Sequence, residues 1–209
     1  MTIHISENFP KLIRDFFLYD NSESDGTAHA PIDLPFDMDR ESLLHDAKRL
    51  PWDTDCRIDR CTIVHNSNNK GETGTKYVVQ KDTRIEPAID LEKFPAINSL
   101  INNLNSIGPV TYMSFKNMYP GEYLPPHMDS TQGPMIVYCP ITWPEGCHFK
   151  VYGQGLVDFG GLKANIVETG NRVHSVVNDG NESRFTFSFH ADWSSPGWSN
   201  ILRKTKLAD

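Results

Sequence analysis

The chain has 209 residues, 38% hydrophobic and 22% charged, with 14 Gly and 14 Pro. That composition suits a single turn-rich globular domain with a sizeable core and excludes a disordered or coiled-coil protein. The net charge of −7 weighs against a nucleic-acid backbone as partner, and no apolar run approaches the ~20 residues of a membrane span.

The start, MTIHISENFPKLIRDFF, lacks the basic segment, apolar segment and small-residue cleavage site of a secretory signal, so the expectation is a cytoplasmic protein. Residues 8–19 are expected to form a short helix, with Asn8 as cap and Pro10 tolerated in the first turn. Residues 21–35 are polar and turn-rich and read as a loop. DRESLLHDAKRL, residues 39–50, carries apolar positions at helical spacing and ends before Pro51. Residues 60–65 and 76–80 read as strands around the hairpin-like NSNNKGETG. DLEKFPAINSLINNL, residues 90–104, is a helix candidate with Asp90 as cap and Gly108-Pro109 as stop.

From Val110 the texture changes to short β-rich runs between turns: VTYMSFKNMY, PMIVYCPITW, HFKVYG, ANIVET, VHSVV and RFTFSFHADW. Evenly spaced short strands argue for a closed or double-sheet jelly roll. Within a single domain, residues 1–109 are thus read as helical and strand support and residues 110–195 as the β core. Cys56, Cys61, Cys139 and Cys147 contain no C-x-x-C pair, so zinc-ribbon and thioredoxin-like readings fail and reduced, partly buried thiols remain.

His127-Met128-Asp129 follows the proline-stiffened stretch YLPPH. Proline fixes φ and pushes the preceding residue toward extended geometry, where side chains at i and i+2 share a face. The imidazole and carboxylate then converge. His190-Ala191-Asp192 repeats the pattern, but only the first copy is followed by another histidine, His174, at the start of a strand-like run, and then by Arg184. Two histidines and one carboxylate on one face of an octahedron leave three adjacent positions free, the arrangement of non-haem Fe(II) oxygenases. A co-substrate and O₂ can then both reach the iron, whereas a structural zinc site keeps no such opening. In RFTFSF, Arg184 and Thr186 share one face, and Phe185, Phe187 and Phe189 occupy the other. An arginine fork beside a hydroxyl can grip the far carboxylate of a dicarboxylate such as 2-oxoglutarate.

These residues carry a resemblance. TYMSFKNMYPGEYLPPHMDS resembles the Y-x-G-x-x-L-x-x-H-x-D pattern of iron- and 2-oxoglutarate-dependent hydroxylases through Tyr119, Gly121, Leu124, His127 and Asp129. The longer run PGEYLPPHMDS…WPEGCHFKVYG…NRVHSVVNDGNESRFTFSFHADW is most similar to the aspartyl/asparaginyl β-hydroxylase branch, which also contains free-proline hydroxylases. The resemblance covers residues 110–195 and implies a cupin-like double-stranded β-helix core; with the helices read in residues 1–109, the expected fold is mainly β with N-terminal helices. It further implies Fe(II) on the catalytic set His127, Asp129 and His174, 2-oxoglutarate on Arg184 with Thr186 beside it, and O₂ as the second co-substrate. Vertebrate aspartyl/asparaginyl enzymes lack the metal-binding carboxylate that Asp129 supplies, so this chain resembles the full-triad members more closely. The branch's R-x-H pair is replaced by Ile136-Val137-Tyr138, which leaves the metal-proximal carboxylate to the Tyr138 hydroxyl, with Ser114 a further 2-oxoglutarate contact.

Elsewhere the expectations are plainer. Trp143, Trp193 and Trp198 read as packing residues, the His148–Cys147 pair falls outside the ligand series, and Asn178 serves either a turn or a ligand histidine. The expected partner is a small-molecule or peptide substrate. Two rival readings stay open: a cupin-like metal enzyme that does not use 2-oxoglutarate, and a non-catalytic jelly-roll binding module.

Overall fold

The computed structural model describes residues 3, 5–19, 27–54, 58–66, 76–81, 84–129, 135–205 and 207. In chain order these form α1 (Lys11–Leu18), β1 (His29–Ile32), α2 (Arg40–Ala47), β2 (Asp59–Asn66), β3 (Lys76–Lys81), β4 (Arg84–Ala88) and α3 (Pro95–Ile107). Then follow β5 (Val110–Met118), β6 (Tyr123–His127), β7 (Ile136–Pro140), β8 (Cys147–Val151), β9 (Gly155–Leu156), β10 (Ala164–Val167), β11 (His174–Asn178), β12 (Arg184–Ala191) and α4 (Pro196–Leu202).

The strands make two antiparallel sheets, a large one in the order β1-β10-β7-β12-β5-β2-β3-β4 and a small one in the order β6-β11-β8-β9. From β5 onward the chain steps between them: β5 large, β6 small, β7 large, β8 and β9 small, β10 large, β11 small, β12 large. That alternation is the double-stranded β-helix. Apart from the β8–β9 hairpin, it separates sequential strands from β5 onward and pairs strands distant in sequence.

Side-chain alternation then decides what each face meets. On β12, Phe187 and Phe189 are fully buried and pack with Phe115 of β5 against Ile97, Leu100 and Leu104 of α3 and Trp198 of α4. Each such burial contributes about 1.5–3 kcal/mol before entropy is charged against it. A second cluster lies between the sheets and includes Met118, Tyr138, Phe149, Val151 and Val176. A third packs Ile13 and Phe17 of α1 on Val177, covering the back of the small sheet. The buried Lys150 holds that helix by donating to the carbonyls of Phe17 and Tyr19. The layers are therefore α1, small sheet, the intervening side chains of the second cluster, large sheet, then α2, α3 and α4.

Several local expectations need correction. The first helix begins at Lys11 behind Pro10, with no side-chain cap from Asn8. The expected loop at 21–35 contains β1, an edge strand whose pattern is too short and too interrupted by Pro31 to announce itself. The expected helix at 90–104 is split. Asp90 caps a 3-10 turn at Leu91–Lys93, and Pro95 restarts the chain as α3. The Asp46 carboxylate of α2 accepts from Ala96 N and Ile97 N, at 2.8 and 3.3 Å, and so caps α3 from a neighbouring helix. Residues 67–74 of the NSNNKGETG hairpin and Cys56 lie outside the described residues. Helix α4 gave no sequence signal and docks tightly: a Cβ at Gly197 would run into the Ile107 carbonyl oxygen.

Candidate metal centre

Pro125 and Pro126 have no N–H to give the ladder, and the pairing of β6 with β11 shifts across them: His174 lies opposite His127, but Val176 lies opposite Leu124. The extra residue is a bulge, which bends the strand and re-aims the side chain that follows. His127 and His174 become direct neighbours across two strands, their ring centroids 4.2 Å apart. Asp129 lies just past the end of β6, held by its N–H donating to the Thr169 carbonyl at 2.9 Å.

The ligand atoms of His127, Asp129 and His174 all lie within 4.8 Å of one another, the one such group of three or more among the described residues. His127 Nε2 is 3.7 Å from Asp129 Oδ1, and His174 Nε2 is 3.8 Å from Asp129 Oδ2. Donors about 2.1 Å from one ion and at right angles would stand about 3 Å apart, so each histidine needs to close on Asp129 by less than about an ångström, and the two histidines on each other by up to about 2 Å, to hold one. The tautomers suit it. His127 Nδ1 is 2.6 Å from the Pro125 carbonyl oxygen and His174 Nδ1 is 3.2 Å from that of Arg172. Carbonyls only accept, so the ring protons sit on Nδ1 and the Nε2 lone pairs face the common point.

Electrostatics agree with this arrangement. Burial brings the His174 ring down to about 4, with His127 adding to it against the pull of Asp129, so the ring is neutral at ordinary pH. Burial alone would raise the Asp129 carboxyl, but His174, Thr169, Lys116 and His127 together hold it below its usual range. An imidazole pair with a carboxylate is the donor chemistry that iron(II) accepts.

Tyr138 packs its ring edge-on against Phe149 and points its hydroxyl at Asp129 Oδ2, 3.4 Å away. Burial, then Asp129, pushes that phenol well above its normal range, so it remains a donor. Arg184 and Thr186 point from β12 toward the small sheet and are 3% and 4% exposed. Burial lowers the Arg184 guanidinium to about 10, its charged form favoured only weakly by Cys147 and Tyr138. It stands over the Trp143 ring at 5.2 Å, and its buried Nε has no hydrogen-bond partner among the described residues. Ser114 is on the same face of the large sheet but turns toward Thr62, 3.5 Å away, and touches none of the three donors.

The second H-x-D and Asn178 are accounted for. His190 packs edge-on against Tyr112, and Asp192 holds the turn before α4 through Ser194, so this second H-x-D forms no donor set. Asn178 serves its turn, donating to the carbonyls of Met118 and Glu182 and accepting from Cys147 and Gly180. Sequence reasoning missed Lys116. It sits on β5 opposite Thr186, and its Nζ reaches Ser188 Oγ at 3.1 Å and lies 4.8 Å from the centre of the Tyr138 ring. A signal was present, because Lys116 is in phase with Ser114 and Met118 on one face while Phe115 takes the core face.

The family model described as aspartyl/asparaginyl beta-hydroxylase matches residues 62–192. No curated protein matches the sequence. Among solved structures, the chain is similar to a 2OG-Fe(II) oxygenase family oxidoreductase from Burkholderia pseudomallei, with 15% identity, 76% of this chain and 80% of that one covered, and a TM-score of 0.48. It is also similar to a prolyl-4-hydroxylase from Pseudomonas putida, with 11% identity, 79% and 92% covered, and a TM-score of 0.47.

Proposed function

The chain belongs to the aspartyl/asparaginyl beta-hydroxylase family, and from that premise we propose that it is a 2-oxoglutarate-dependent, non-haem iron dioxygenase that hydroxylates an unactivated C–H bond of a small molecule, amino acid or peptide side chain. The observation that carries this reading is the convergence of three donors within 4.8 Å, with the buried, partner-poor Arg184 on the facing sheet.

His127 and His174 would hold ferrous iron through Nε2 and Asp129 through a carboxylate oxygen, leaving the opposite face free for the keto acid and O₂. Iron bound there supplies O₂ activation coupled to decarboxylation of 2-oxoglutarate, one oxygen atom ending in succinate and the other in the substrate's new hydroxyl, with release of CO₂. Arg184 receives the far carboxylate of the keto acid through its planar fork, with the Thr186 hydroxyl beside it. A buried guanidinium with no anionic partner is costly, and a dicarboxylate removes that cost. The Tyr138 hydroxyl, held protonated, can donate to an oxygen near Asp129. Met118, Phe149, Val151 and Val176 wall the space between the sheets and keep water from competing for it.

Anaerobic titration of the metal-free protein with Fe(II) and then 2-oxoglutarate tests this. A visible charge-transfer band should grow on adding the keto acid and should need about 10–100-fold more keto acid in Arg184→Ala, the loss expected for one charge-assisted contact. Iron uptake with no band at any keto-acid concentration would favour the metal enzyme that dispenses with 2-oxoglutarate. Absence of iron uptake would favour the binding module.

A further inference from the structure

The Lys116 ammonium is a cation that the reading above leaves without work. Its Nζ touches Ser188 Oγ and the Tyr138 ring, and no carboxylate lies within ion-pair distance of it among the described residues. Burial brings the Lys116 amine down to about 8, Asp129 pulls the other way, and Arg184 and Arg60 add to the lowering. Asp129, however, is committed to the metal.

A charge count sharpens the point. Ferrous iron, Arg184 and Lys116 would bring four positive charges into the cavity, while Asp129 and dianionic 2-oxoglutarate bring three negative ones. One uncompensated positive charge among buried groups is expensive, and one further anionic group removes the imbalance. Position indicates its source. Opposite Lys116 across the β5–β12 ladder is Thr186, yet Nζ leans one step further along β12 to Ser188, away from Arg184 and toward His190 and the donor set. Lys116 and His190 are partly exposed, whereas Arg184 is sealed at 3%. Ser188 is paired with Tyr138, whose hydroxyl points at Asp129, so the ammonium lies at the donor end of this face.

We propose that the substrate bears a carboxylate, and that Lys116, presented by Ser188 across the face of Tyr138, receives it. This rests on the dioxygenase reading and names the substrate class for the same cavity. It makes Lys116 a specificity-determining residue: it anchors one end of the substrate and thereby sets which C–H bond lies over the metal.

The test uses the full chain loaded with zinc(II), which keeps the coordination without oxygen chemistry, and saturated with 2-oxoglutarate. Binding of the common free amino acids, each paired with its α-carboxamide, is read by calorimetry. At least one acid should bind tenfold or more tightly than its amide. Lys116→Met should erase that preference to within twofold, and Lys116→Arg should keep most of it. In both variants, zinc uptake, 2-oxoglutarate affinity and melting temperature should stay close to the parent's, which shows that the fold survives. A preference that persists in Lys116→Met overturns the proposal. So does a tenfold loss of 2-oxoglutarate affinity in that variant, which would assign Lys116 to the co-substrate, and so does a parent protein that prefers no acid. Parent protein that binds zinc but no 2-oxoglutarate would overturn the dioxygenase reading itself, and this inference with it.

Discussion

The two faces of β12 show how one strand can serve opposite ends. Phe187 and Phe189 point outward into the helix-packed core and are fully buried among apolar neighbours. Arg184, Thr186 and Ser188 point inward and are almost as buried, yet they are polar and, at Arg184 Nε, unpartnered among the described residues. Burial is equal and chemistry is opposite. The outer face is where folding free energy is gained, and the inner face costs some of it to keep charge ready for ligands.

The sharpest way to break that contrast is a substitution on each face. Phe187→Ala should lower the free energy of unfolding by about 3–5 kcal/mol, because a fully buried ring leaves a cavity among Phe115, Phe189 and α3. Chemical denaturation measures that loss, and the fraction still folded should take up metal with parental affinity. His174→Ala should do the reverse, weakening iron or zinc binding by at least about 100-fold, roughly 2.7 kcal/mol, while the metal-free protein melts within a few degrees of its parent. A large drop in metal-free stability for His174→Ala would show that the histidine is structural. A still smaller effect is expected far from both faces. Asp39 accepts from Ser42 N at 3.1 Å as the cap of α2, so Asp39→Ala should cost about 1 kcal/mol and leave metal and keto-acid binding untouched.

The same contrast explains how far the sequence could be read. The strand runs after Val110 and the ordered H-x-D, H, R series were legible because alternation and spacing are local properties of the chain, and the family resemblance rested on those same residues. The double-stranded β-helix followed from that resemblance and stands in the sheet order. What stayed hidden depended on partners from elsewhere. Lys116 looks like any lysine on a half-exposed strand until the register sets it opposite Thr186 and beside Ser188. Strand β1 exists because β10 offers it an edge, and α4 because α3 and the large sheet offer Trp198 a socket. The bulge at Pro125-Pro126 was half legible: the prolines predicted stiffness, but the shift that brings His127 beside His174 belongs to the pairing.

Iron-edge anomalous diffraction from crystals grown with Fe(II) and 2-oxoglutarate without oxygen tests the central claim most directly. The account predicts one strong peak within about 2–2.2 Å of His127 Nε2, His174 Nε2 and an Asp129 oxygen, with keto-acid density running from it to the Arg184 guanidinium. A peak elsewhere, or one that leaves any of these three side chains uncoordinated, would contradict it.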